Sequence, residues 1–149
     1  MEKYLAIIQS NEKIGVVINT CFGGFGLSKE GVDEYNKRSG KNLESWDTLL
    51  LDRHDPDLVA MVRDMGGKEL VINGQFSSLS VDKIPIYMQD FYSIKEYDGQ
   101  EYIRLLEDKF KISQIKLINN DDSLSHQDKK TLIDQIIQFK IPDIEYQSH

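Results

Sequence analysis

The chain contains a single cysteine, Cys21, which excludes an intramolecular disulfide framework or a zinc site of several thiolates and fits a reducing compartment. Histidine is almost as scarce. His54, His126 and His149 have no metal-ligand spacing among themselves, so no metal site and no cofactor is expected. No apolar run is long enough to span a membrane, and the short apolar stretch within residues 1–9 is not a secretory signal, so an intracellular protein is expected. Cationic residues are outnumbered: 18 Lys and Arg face 25 Asp and Glu, for a net charge of −7. A broad electrostatic hold on duplex nucleic acid or anionic lipid needs clustered cations, so neither partner is expected, although a local basic pocket is allowed.

What is present suffices for one domain. A 149-residue chain with 40% apolar residues can bury one core. The expected fold is α+β: a small, mostly antiparallel sheet with helices packed on it, formed by residues 1–106, and a C-terminal helical extension, 107–149, packed on the same domain. Residues 4–9 and 14–20 are two apolar, β-branched runs separated by Ser10-Asn11-Glu12-Lys13, the pattern of two antiparallel strands and their loop. A glycine-rich turn follows, after which Ser28 can cap a helix running to Arg38, with Gly40 placed for a left-handed stop. Trp46, Leu49 and Leu50 lie at helical spacing and are expected to cover the core.

A second helix start is written in Asp55-Pro56-Asp57: a cap, a proline suited to the first helical position and a carboxylate for the positive end of the dipole. Leu58, Val59, Met61, Val62 and Met65 give that helix its apolar stripe, and Gly66-Gly67 ends it. Strands are expected at 70–72 and 84–88, with a turn at Asn73-Gly74, a polar connection over 77–82 and Pro85 at an edge. Asp98-Gly99 between residues 91–97 and 100–106 is a type I′ hairpin signal. It sets Glu96 opposite Glu101, which requires solvent exposure or a nearby cation. Ser125 and Asp128 form a capping arrangement for a helix carrying Leu132, Ile133, Ile136, Ile137 and Phe139 and ending before Pro142. Fraying is expected from Gln147 onward.

The chemistry-bearing candidates cluster at two of these boundaries. In Thr20-Cys21-Phe22-Gly23-Gly24-Phe25-Gly26-Leu27-Ser28, three glycines between a buried strand and a helix start allow backbone N–H groups to approach an anion. The same glycines also suit a plain tight turn whose Phe22 and Phe25 plug the core. The segment is neither a phosphate-binding P-loop nor a dinucleotide fingerprint, since the Lys-Ser/Thr ending and the glycine spacing are absent. The candidate ligand-binding set is Thr20, Gly23, Gly24, Gly26, Ser28, Arg53 and His54, with Arg53-His54-Asp55 supplying a cation and an imidazole at a helix entrance. Helix capping and a surface salt bridge are the alternative role of that tripeptide. Cys21 and His54 are the candidate nucleophile and base, provided the fold joins them. Tyr87, Phe91, Tyr92, Tyr97 and Tyr102 are either an aromatic wall or strand packing. Asp121-Asp122-Ser123 lacks the ordered ligands of a calcium loop.

Three blocks together, residues 18–28, Arg53-His54-Asp55-Pro56-Asp57-Leu58-Val59 and residues 96–103, resemble a family of small uncharacterised proteins of tailed phages and giant DNA viruses. The resemblance spans residues 14–106. It implies a viral origin, with host cytoplasm or virion as the setting, and carries no activity. The functional expectation is a non-catalytic protein holding a small phosphate- or carboxylate-bearing ligand, such as a host signalling nucleotide. A virion or host-interaction protein, as a homo-oligomer or with a host or viral partner, and a small Cys/His hydrolase or transferase are the alternatives.

Overall fold

A computed structural model of the chain describes residues 2–21, 24–66 and 78–147. Its described elements are five α-helices and two antiparallel two-stranded ladders, an α+β fold. The first ladder pairs β1 (Lys13–Asn19) with β2 (Leu79–Pro85), with Val17 opposite Val81. Side chains alternate across a strand, and β1 sends Val17 to one core and Val16 and Ile18 to another. Both faces of β1 are therefore covered, which is why it reads as an unbroken apolar run.

On the Val17 face lie α2 (Lys29–Ser39) and α3 (Pro56–Met65). Both begin and end as their sequences dictate. The Ser28 hydroxyl accepts from Gly31 N and the Asp55 carboxylate from Asp57 N and Leu58 N, while Gly40 and Gly66 stop the helices at φ 75° and 74°. The other Asp55 oxygen accepts from the Tyr35 hydroxyl at 3.1 Å, tying the two helices together. Gly15 permits the close approach of α3 to the ladder: a Cβ there would lie 2.6 Å from Val81 Cγ1 and 2.8 Å from Val59 Cγ1.

On the Val16 face the core is completed by Ile84, Met88, Ile103, Phe110 and Ile141. Ile103 belongs to the second ladder, β3 (Tyr92–Tyr97) with β4 (Gln100–Leu105). Asp98 and Gly99 close it at φ 55° and 82°, the positive pair of a type I′ turn. Phe110 lies in the first turn of α4 (Glu107–Asn119) and Ile141 follows α5 (His126–Gln138), so the C-terminal segment supplies part of the same core. Ser125 caps α5 by accepting from Asp128 N. Among the described residues, no helix is long and apolar enough to cross a membrane.

Four expectations are corrected. Residues 4–9 form a helix, α1 (Glu2–Gln9), rather than a strand. Tyr4, Leu5 and Ile8 repeat at helical spacing against Ile118, Leu132 and Ile136, and that packing overrides β-branched propensity. Trp46, Leu49 and Leu50 do not cover the core. They stand outward on the 3₁₀ turn Asp47–Leu50 at 64%, 49% and 81% exposure, while Thr48 is the buried residue. The expected polar connection is instead largely strand: Leu79 to Asp82 are buried in β2, and Asp82 accepts from Gln147 N at 2.8 Å. Beyond Pro85, Ile86–Met88 is a 3₁₀ turn rather than strand. The expected strand at 70–72 and turn at Asn73-Gly74 lie outside the described residues.

Candidate functional site

β1 ends where three segments converge, and its last residues carry the polar chemistry. The outer edge of β1 has unpaired backbone groups at alternate positions, and Arg53 takes them: Val17 N donates to Arg53 O at 2.7 Å, and Arg53 Nη1 donates to Val17 O at 3.2 Å. The guanidinium then continues to Glu101 on β4. Its Nη1 and Nη2 donate to Oε1 and Oε2 at 2.6 and 2.9 Å, a two-pronged ion pair. Glu101 Oε1 also accepts from Asn19 N at 2.8 Å. The two ladders are thus joined by side chains where a continuous sheet would use backbone.

Asn19 extends the junction. Its fully buried amide donates through Nδ2 to Gly99 O at 2.7 Å and to Cys21 O, and accepts from Ser78 N at 3.2 Å. Thr20 N donates to Ser78 O at 2.9 Å, and the Thr20 and Ser78 hydroxyls share a 2.7 Å hydrogen bond. One asparagine therefore links strand end, glycine turn, hairpin tip and the entry to β2.

Arg53 does meet the glycine turn, through an aromatic face: its Cζ lies 3.6 Å from the Phe25 ring centroid. Gly24 adopts φ 73°, the left-handed geometry that favours glycine. Gly26 is buried, and Ser28 caps α2. Gly23 and Phe22 lie outside the described residues. The positive charge of Arg53 is matched by Glu101, so the turn and the cation come together as a compensated, largely dry junction rather than an open cationic cradle.

His54 points elsewhere. Its Nδ1 shares a 2.6 Å hydrogen bond with the Tyr92 hydroxyl, and the rings meet edge-on with centroids 5.6 Å apart. The pair lines an open cleft of about 400 Å³ with Asp52, Asp90 and Gln89. Burial, reinforced by the Asp52 carboxylate, pushes the Tyr92 hydroxyl up to about 12, so it stays protonated at neutral pH. Cys21 takes a different partner, with its Sγ 3.4 Å from Ser78 Oγ. The candidate nucleophile and base are each engaged, and not with each other. The aromatic set also divides: Tyr87 stacks on Phe110 and Tyr92 meets His54, while Tyr97 and Tyr102 are exposed.

Glu101, Asn19 and Ser78 are the partners that residue types alone do not single out as a site. Glu101 had a readable signal, since a carboxylate facing Glu96 across a hairpin needs a cation, and Arg53 is that cation. Asn19 had a weaker one, a lone amide ending an apolar strand. Among the described residues, no group of three or more His, Cys, Asp or Glu side chains is placed to hold a metal ion. No family model matches the chain, and no curated protein or solved structure matches it.

Proposed function

We propose that this protein is a non-catalytic binding protein whose working surface is a protein contact centred on the 3₁₀ turn Asp47–Leu50. The observation that carries this reading is the outward presentation of Trp46, Leu49 and Leu50 by a turn that is itself well anchored. Thr48 is fully buried and donates to Ser45 O at 2.6 Å, Glu44 N donates to Asp47 Oδ2 at 2.9 Å, and the Trp46 indole N–H donates to Glu44 Oε2 at 3.0 Å. Local bonds satisfy the polar atoms and leave the apolar faces outside, the composition of an interface anchor. The resemblance to small phage and giant-virus proteins makes the virion or the host cytoplasm the setting within this proposal.

A photo-crosslinking amino acid at position 50 tests it in the protein's native setting. The expected result is a discrete crosslinked protein species that Trp46→Ala abolishes. Capture no greater than from the same probe at exposed Lys130 overturns it.

A small-anion site at the glycine turn is the second reading, favoured by the contact between Arg53 and Phe25 that brings cation and turn together. The ligand would be a phosphate- or carboxylate-bearing molecule such as a signalling nucleotide, recruiting Arg53 donors away from Glu101. A thermal shift with one member of a nucleotide panel, lost in Arg53→Met, is its expected signature. No shift with any member, and no nucleotide retained in native mass spectrometry, removes it.

A further inference from the structure

We infer that the acceptor for the Trp46 turn is the outer face of α4 on a second copy of this chain, giving head-to-tail self-association. The inference rests on the protein-contact reading above and commits it to one partner. The turn offers apolar side chains beside carboxylates: Trp46, Leu49 and Leu50 lie next to Glu44, Asp47 and Asp52 in the chain. The face of α4 offers the complement. Lys109, Ile112, Ser113, Lys116, Leu117 and Asn120 line a groove of about 340 Å³. Ile112 and Leu117 stand 53% and 54% exposed along it.

Charge favours this groove over the more apolar one between α1 and α4. In a chain of net charge −7, most surfaces repel an acidic turn. Lys109 and Lys116 have no ion-pair partner among the described residues, whereas Lys111, on the same helix, is taken by Glu107, Ile137 O and Phe139 O. The more apolar groove between α1 and α4, lined by Ala6, Ile7, Ile86, Tyr87, Phe110 and Gln114, has no lysine to meet Glu44 and Asp47. Apolar anchors flanked by carboxylates therefore match an apolar groove flanked by ammonium groups, and both surfaces belong to one chain.

Two different patches make the contact heterologous, so every bound copy leaves one turn and one groove free. Assembly then grows with concentration instead of stopping at a symmetric dimer. A contact of one tryptophan and two leucines is small, so the association is weak and reversible. Its ionic component makes it sensitive to salt.

The test uses the full chain and two variants that each spoil one surface. Trp46→Ala/Leu50→Ala removes the apolar anchors; Lys109→Glu/Lys116→Glu reverses the groove's charge, and all four residues are exposed. By analytical ultracentrifugation, wild type should sediment faster as concentration rises, with association weakened about tenfold or more between low salt and ~0.5 M salt. Each variant alone should remain monomeric. An equimolar mixture should form a one-to-one heterodimer that grows no further, because it contains one intact turn and one intact groove. Unchanged far-ultraviolet circular dichroism and melting of both variants would confirm that folding is intact.

Wild type that stays monomeric at every concentration overturns the inference. So does self-association retained in the groove variant, which would indicate a symmetric contact between turns, or a mixture that restores nothing. If wild type is monomeric yet the crosslinker at position 50 traps a different protein, self-association fails while the protein-contact function stands.

Discussion

Glu101 faces Glu96 across the β3–β4 ladder, a pairing that charge repulsion disfavours. Its carboxylate instead turns inward, where only 6% of the side chain is exposed, and meets an Arg53 guanidinium at 16% exposure. Two charges removed this far from water are stable only as a hydrogen-bonded pair, so loss of either partner strands the other. Glu101→Gln is expected to destabilise the fold by about 3 kcal/mol, measured by denaturant unfolding. Arg53→Met should cost a similar amount, and the double variant should be less destabilised than the sum of the two by about 2 kcal/mol. Additive effects would mean that the pair is not energetically coupled and that Arg53 is available to a ligand. The coupling measurement therefore bears on function as well as stability: a strongly coupled Arg53 belongs to the scaffold, and an anion at the glycine turn must compete with Glu101 for it.

At the scale of elements, what was legible in the sequence is what local chemistry decides. Ser28 with Gly40, Asp55-Pro56 with Gly66, Asp98-Gly99 and Ser125 with Asp128 each mark their boundary by a cap or a required φ, and the observed helices and hairpin follow them. Residues 4–9 and 46–50 were misleading because a short apolar run does not state what it packs against. The candidate site was half-legible for the same reason: Arg53 and the glycine turn stand out locally, but Glu101 joins them across a long stretch of sequence. The element whose packing was hidden, α1, is anchored by a titratable contact. The Tyr4 hydroxyl donates to Asp121 Oδ2 at 2.7 Å, Ser123 N and Oγ donate to Oδ1, and Lys3 lies 3.3 Å away. These donors, with Ser123 Oγ the strongest influence and Tyr4 next, hold the Asp121 carboxyl well below the usual carboxylate range. A depressed folded-state pKa adds stability that is fully present above the unfolded value of about 4 and is lost progressively as pH falls below it. Asp121→Asn should therefore melt at a lower temperature than wild type at neutral pH, with the gap narrowing below about pH 4. A gap independent of pH would place the loss in packing or hydrogen-bond geometry rather than in the charge.

At the scale of the whole molecule, two of the three apolar clusters cross the division between residues 1–106 and 107–149, while the cluster around Val17 lies within residues 1–106. Phe110 and Ile141 pack with Val16, Ile18, Ile84 and Ile103, while Ile118, Leu132 and Ile136 enclose Tyr4 from α1. The C-terminal segment also protects the outer edge of β2: Lys83 and Glu145 exchange two backbone hydrogen bonds at 2.8 and 2.9 Å, and Val81 N donates to Gln147 Oε1 at 2.6 Å. Arg53 covers the opposite edge of the same ladder, so both edges depend on segments distant in sequence. A ladder stripped of such cover exposes unpaired backbone groups and one apolar face to other chains. A fragment of residues 1–106 is therefore expected to lose cooperative thermal unfolding and to aggregate, because it retains the core around Val17 but opens the core around Val16. Circular dichroism melting with light scattering distinguishes the outcomes. A soluble fragment with a sharp melt near that of the full chain would make residues 107–149 a dispensable cover. Its α4 face would then be available to serve as a contact surface without any part in holding the fold together.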